Sequence, residues 1–269
     1  MFGGHAGDDR DVAVARCSGL APDLWPIWLP PLVLAPFVGS FLGVLIRDLP
    51  AGRMGAIRRS ACETCGHRLG PAELLPIVSF MLQGGRCRHC GDRIAGRHLA
   101  VELGAVGVAV WAASALPDAA TLWAGCLLGW TLLALGWIDW EHMRLPDVLT
   151  LPLLLAGLVA TWALEPDALI DHAIAAVAGY AAFRLLEIGY RALRGRDGLG
   201  QGDAKLAAAA GAWAGLAALP IIVFGAALVG LCIALVVQLR GGRVGAATAL
   251  PFGPALALAL WVVWLYGLA

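Results

Sequence analysis

The sequence predicts an all-α polytopic membrane protein of about eight transmembrane helices, with a small cytoplasmic cysteine-bearing insertion between the first and the second. Three observations carry this. Of the 269 residues, 60% are apolar and 14% charged, with a mean hydropathy of +0.78. Soluble domains run at about 45–50% apolar and about 25% charged, because their surfaces must be covered by polar side chains. The apolar residues also fall in runs of the length a bilayer-crossing helix needs, about 20 residues. Finally, the arginines collect in a few short polar segments that alternate with those runs. Net charge is zero, which argues against a general nucleic-acid binder.

Taken in order, residues 1–24 form an N-terminal tail with Asp8, Asp9, Asp11 and Asp23. It lacks a basic stretch leading into an apolar core and does not read as a cleavable signal peptide. The first span is expected over residues 25–46, followed by the insertion at 47–97. The transmembrane core, 98–269, holds expected spans at 98–116, 119–138, 148–164, 168–190, 204–218, 219–239 and 249–268. The run 204–239 is too long for one crossing, and Pro220 supplies a natural break. Orientation follows from the arginines. The insertion holds Arg47, Arg53, Arg58, Arg59, Arg68, Arg86, Arg88, Arg93 and Arg97; the later loops on that side hold Arg144, then Arg191, Arg194 and Arg196, then Arg240 and Arg243. The opposite loops, such as Glu165-Pro166-Asp167, are short and acidic or neutral. Eight spans put every Arg-rich segment in the cytoplasm, whereas seven would misplace Arg240 and Arg243.

Four of the seven cysteines form two knuckles, Cys62-Glu-Thr-Cys65-Gly-His and Cys87-Arg-His-Cys90-Gly-Asp, about twenty residues apart. Paired CxxC turns at this separation match a tetrahedral four-thiolate zinc site. Gly66 and Gly91 let the chain curl back under a metal, and disulfides are rare in the cytoplasm. His67 and His89 offer a mixed ligand set, and redox-active CxxC pairs are a further reading. With four sulfurs and no open position, the zinc would be structural, stapling a loop too small to fold alone. Cys126 and Cys232 lie in apolar runs, where a free cysteine reads as a small buried hydrophobe.

The third expected span ends at Asp139, and Gly198-Leu-Gly200-Gln-Gly202-Asp203-Ala-Lys205 opens the sixth. The arginine topology brings both carboxylates to one depth on one side. Ionisable groups at a membrane edge are costly and usually functional. Two carboxylates held close share a proton, so one can activate water while its protonated partner polarises a carbonyl. Simpler roles stand beside this: an N-cap for Asp203, a solvated interfacial carboxylate for Asp139, and an N-cap for Asp147. Glu187 and Arg184, one turn apart, form either an intrahelical pair or part of a polar path through the membrane.

These blocks recur in a recognisable order: Gly39-Ser-Phe-Leu-Gly-Val-Leu-Ile-Arg-Asp-Leu-Pro50, the two knuckles, Ile138-Asp139 with Leu145-Pro-Asp-Val-Leu-Thr-Leu-Pro152, Gly200-Gln-Gly-Asp203-Ala-Lys205, and Pro251-Phe-Gly-Pro254. Together they resemble the prepilin peptidases, or type IV leader peptidases. The resemblance implies a multi-pass inner-membrane aspartyl endopeptidase. Such an enzyme cuts the basic leader from type IV prepilins or type II secretion pseudopilins at the cytoplasmic face, next to their apolar N-terminal helix. By motif position, the catalytic carboxylates would be Asp139 and Asp203. The resemblance also implies N-methylation of the new amino terminus from S-adenosylmethionine. Glu102 matches an acidic position after the cysteine loop, serving methylation or pairing with an arginine. Gly43 departs from the family's usual asparagine. Competing readings are an ion- or proton-coupled transporter using Asp139, Asp203, Glu187 and Arg184, or a non-catalytic zinc-ribbon membrane adaptor.

Overall fold

The computed structural model describes residues 26–52, 61–62, 64–195, 200–240 and 251–267. The tail 1–24, Arg53, Arg58, Arg59, Arg196, Arg243 and the ends of the last expected span lie outside the described residues. The helices are α1 (Leu29–Asp48), α2 (Val78–Leu82), α3 (Gly96–Ala115), α4 (Ala119–His142), α5 (Asp147–Leu164), α6 (Leu169–Arg194), α7 (Gln201–Leu239) and α8 (Gly253–Tyr266). Extended structure among the described residues is limited to two isolated bridges in the cysteine loop.

Six of these helices, α1 and α3 to α7, are long and apolar enough to cross a bilayer, and α8 is shorter at 14 residues. Their boundaries follow local chemistry. Pro30 and Pro31 open α1, where their missing N–H groups cost nothing. Asp118 caps α4 by accepting the Thr121 N–H at 2.9 Å. Gly195 ends α6 in the left-handed conformation, φ 67°.

The helices pack through small residues, as membrane helices do where lipid offers no hydrophobic drive between them. A Cβ on Gly39 would lie 2.6 Å from the Glu102 Cα, so α1 and α3 meet at backbone distance. Gly179 and Gly211 bring α6 and α7 equally close, against Ala207 and Ala175. Indole groups add interhelical hydrogen bonds, Trp130 to the Ala105 carbonyl at 2.9 Å and Trp213 to the Leu153 carbonyl at 2.8 Å. Outside this core, large apolar side chains such as Val159, Ile170, Val177 and Leu231 face outward, an exterior suited to lipid rather than water.

The break in the long apolar run falls at Gly215, not at Pro220. Gly215 alone within α7 has non-helical torsions, φ 78° and ψ 178°, a region open essentially to glycine. Before it, Trp213 meets Trp264 near the end of α8, ring centroids 5.6 Å apart. After it, a Cβ on Gly225 would lie 3.4 Å from that of Ala259, back towards the start of α8. A straight helix would carry residue 225 about 18 Å past residue 213, so the axis turns back and α7 is two arms, 201–214 and 216–239. The freed backbone is repaired locally: Asp171 accepts the Leu216 N–H at 2.9 Å, and the His172 ring lies 3.0 Å from the Ala212 carbonyl and the Thr161 hydroxyl. Proline is tolerated at residue 220 because it falls early in the second arm, near the turn where helix hydrogen bonding begins anew.

Candidate functional site

Asp139 lies in the last turn of α4 and Asp203 in the first turn of α7; they are 6% and 8% exposed. Each carboxylate is held by one backbone N–H: Gly253 donates to Asp139 Oδ2 at 2.9 Å, and Gly200 donates to Asp203 Oδ2 at 3.3 Å. The two side chains are close enough for the charge on Asp139 to act on Asp203. Asp203 is thus not the N-cap, a position that Gly200 takes; it is the third residue of the helix and accepts the N–H of that cap residue.

The surrounding residues lock the two blocks together. A Cβ on Gly202 would lie 2.7 Å from that of Leu145, so this glycine lets the start of α7 press against the α4–α5 connection. Lys205 pairs with Asp147 across the same junction. Asp147 is therefore the first residue of α5 and an ion-pair partner, not the cap expected of it; Pro146 takes the cap position. Gly253 is the one functional residue the sequence did not single out with a role. A Cβ there would fall 2.6 Å from Asp139 Oδ2, so glycine is required for the α8 N-terminus to reach the carboxylate. The available signal was the Pro251-Phe-Gly-Pro254 block, which marks a helix start.

The four knuckle sulfurs of Cys62, Cys65, Cys87 and Cys90 all lie within 4.8 Å of one another, with Cys62 and Cys90 3.8 Å apart. Tetrahedral zinc with Zn–S bonds of about 2.3 Å sets its sulfurs about 3.8 Å apart, so the cluster fits a metal of that size. The knuckles are built alike. Gly66 and Gly91, at φ 69° and 72°, donate back to the Cys62 and Cys87 carbonyls at 3.0 and 2.9 Å. The Cys65 and Thr64 backbone N–H groups draw the Cys62 thiol down to about 7. At Cys90 the Asp92 N–H acts downward, but partial desolvation and the three neighbouring sulfurs push it up to about 12. Four adjacent thiolates need a cation to offset their repulsion. His67 and His89 stack on each other, ring centroids 4.5 Å apart, beside the sulfur set, and Thr64 ties the knuckles by donating to Asp92.

Glu102 is buried and accepts the Ile77 N–H at 2.8 Å, with Ser40 lining the same cavity. Glu102 thus ties the cysteine loop to α3 and pairs with no arginine among the described residues. Ile77, at φ 61° and ψ −54°, is the strained centre of a γ-turn closed by the Val78 N–H on the Pro76 carbonyl. A cavity of about 200 Å³ opens here, lined by Ser40, Glu73, Phe80, His98 and Glu102. Glu187 is 2% exposed and its carboxylate is taken by Arg184 and by Arg191, the latter at 3.1 Å; this is the intrahelical pair, not a polar path. Cys126 is buried as expected, whereas Cys232 faces outward on the second arm of α7.

Known proteins match the chain along most of its length. The "Type IV leader peptidase family" model matches residues 126–235, spanning both aspartates, and the "Bacterial Peptidase A24 N-terminal domain" model matches 33–116, spanning the cysteine loop. A prepilin leader peptidase/N-methyltransferase of Dichelobacter nodosus is 40% identical over 82% of this chain and 76% of its own length. One of Pseudomonas aeruginosa is 35% identical over 88% and 89%, and one of Burkholderia pseudomallei 38% identical over 84% and 81%. No solved structure matches the chain. Identity of this level along most of the chain, with family models matching residues 33–116 and 126–235, means that the chain belongs to the type IV leader peptidase family.

Proposed function

We propose that the protein is a prepilin peptidase in which Asp139 and Asp203 are the catalytic pair. The observation that carries this is their convergence: two buried carboxylates from segments far apart in sequence lie at one end of the bundle within electrostatic reach of each other, each steadied by a single backbone N–H. The pair shares a proton. The ionised member takes a proton from water as its oxygen attacks the scissile carbonyl carbon, while the protonated member donates to the carbonyl oxygen. Collapse of the tetrahedral intermediate breaks the C–N bond; the new amine takes the proton that the first aspartate accepted from water, and the hydroxyl proton returns to the second aspartate.

The substrate is a prepilin or pseudopilin, as the relatives' names state for them. The aspartates share their end of the bundle with Arg47, Arg86, Arg97, Arg144, Arg191 and Arg240, all at the helix ends or in the loops there. This supports an inner-membrane protein whose site and cysteine loop face the cytoplasm, with the arms of α7 counted separately to give eight crossings. Zinc held by Cys62, Cys65, Cys87 and Cys90 would supply the staple that orders the loop. The relatives' second activity supports N-methylation of the new amino terminus here also. The carboxylates of Glu73 and Glu102 and the Ser40 hydroxyl, around the cavity under the loop, match the hydroxyl and amine groups of S-adenosylmethionine, which supplies the methyl group when bound.

The test is incubation of the purified protein in proteoliposomes with a prepilin, followed by mass analysis of the product. A product shortened at its N-terminus supports the peptidase, and a further methyl-sized increment dependent on S-adenosylmethionine supports the second activity. Failure to cut several prepilins contradicts the reading.

A further inference from the structure

Between the outward faces of α3, α4 and α8 lies an apolar groove of about 660 Å³. Its mouth is formed by Trp137, Trp140 and Pro254. The two tryptophans bracket Asp139 on α4, and Pro254 follows the glycine that holds the Asp139 carboxylate. From this mouth the groove follows α4 down to Gly129, about 16 Å along the axis at about 1.5 Å per residue. Its mouth therefore lies one residue along the chain from Asp139 and from Gly253, and the groove extends from there along the membrane-spanning part of the bundle.

Two glycines in its wall are not accounted for by packing within the chain. Gly39, Gly129, Gly179 and Gly211 are needed because a Cβ would collide with a neighbouring helix. At Gly107, by contrast, a Cβ would meet nothing within 4 Å, and at Gly136 it would meet Pro254 only at 3.5 Å, ordinary contact. A glycine inside a helix is less favourable than an alanine. Leaving backbone bare towards a groove lets a second helix approach closely, as at small-residue contacts between membrane helices.

We propose that this groove docks the apolar helix of the substrate next to the scissile bond; the proposal rests on the peptidase reading above. A polypeptide lying in lipid must pair its own backbone groups, so an occupant of the groove is helical. A substrate whose cut bond reaches Asp139 while its adjoining segment lies in the groove must unwind only at the mouth. The groove then sets both the depth of the substrate and its preference for an apolar segment beside the bond.

Two measurements test this in membranes. Gly107→Leu fills the groove without touching the aspartates, and should lower kcat/KM for a full-length prepilin by at least about 10-fold, chiefly through KM. Val159→Phe, on the outward face of α5, should leave cleavage unchanged. Separately, a photo-crosslinking residue at position 107 in the Asp203→Asn protein should capture the prepilin through its apolar helix, and one at position 159 should not. Normal cleavage by a Gly107→Leu protein of native abundance, or capture of lipid alone at position 107, overturns the proposal. If Gly107→Leu fails to accumulate, the crosslink decides. Failure of the native protein to cut, with capture retained at 107, would sink the catalytic reading and leave the docking one standing.

Discussion

Asp139 lies at the C-terminal end of α4, where the helix dipole disfavours a negative charge, and is met there by the N-terminus of α8, where the dipole favours one. Gly253 makes that meeting possible, so Gly253→Ala should displace the carboxylate and lower cleavage by at least about 10-fold, because small misplacement of a reacting group is costly. Protein abundance on a membrane immunoblot should change little. Glu102 gives a second test at this scale. Glu102→Ala leaves the Ile77 N–H without its acceptor, a loss of about 1–3 kcal/mol, whereas Glu102→Gln keeps an acceptor. Thermal unfolding in detergent should rank the alanine variant below the glutamine one, and equal melting would remove the pinning role. The two aspartates were legible in the sequence because the arginines alone sort them to one side. The role of Gly253 was not, because the contact joins residues 114 apart and no local pattern encodes which helix end will meet which carboxylate.

Among the elements, α7 shows where local rules mislead. Proline is the usual helix breaker, yet the chain turns at Gly215, whose torsions demand glycine, while Pro220 is absorbed near the start of the second arm. Gly215→Ala should cost about 1–3 kcal/mol from backbone strain, with its Cβ also 2.8 Å from Asp171 Oδ2; Pro220→Ala should be mild. A melting comparison that ranked them the other way would contradict the placement of the turn. The cysteine loop was far more legible, since CxxC spacing and the following glycine encode the knuckle directly. Chelation, or paired Cys62→Ser and Cys65→Ser, should remove one equivalent of zinc per chain, measured by elemental analysis, and render the loop sensitive to protease. Metal content unaffected by those substitutions would exclude the four-sulfur site.

At the scale of the molecule, the helix order brings α4, α7 and α8 to one end, and the same order gathers the arginines there. Composition and charge distribution made that architecture readable, because lipid permits few alternatives to helices. What they left open were the interhelical contacts, which depend on glycines whose neighbours lie a hundred residues away. The most direct test of the central claim compares prepilin cleavage in membranes by the native protein, Asp139→Asn and Asp203→Asn at matched abundance. Each substitution should lower the rate by at least about 100-fold, the scale of general acid–base catalysis. Cleavage by either variant near the native rate would contradict a two-carboxylate mechanism.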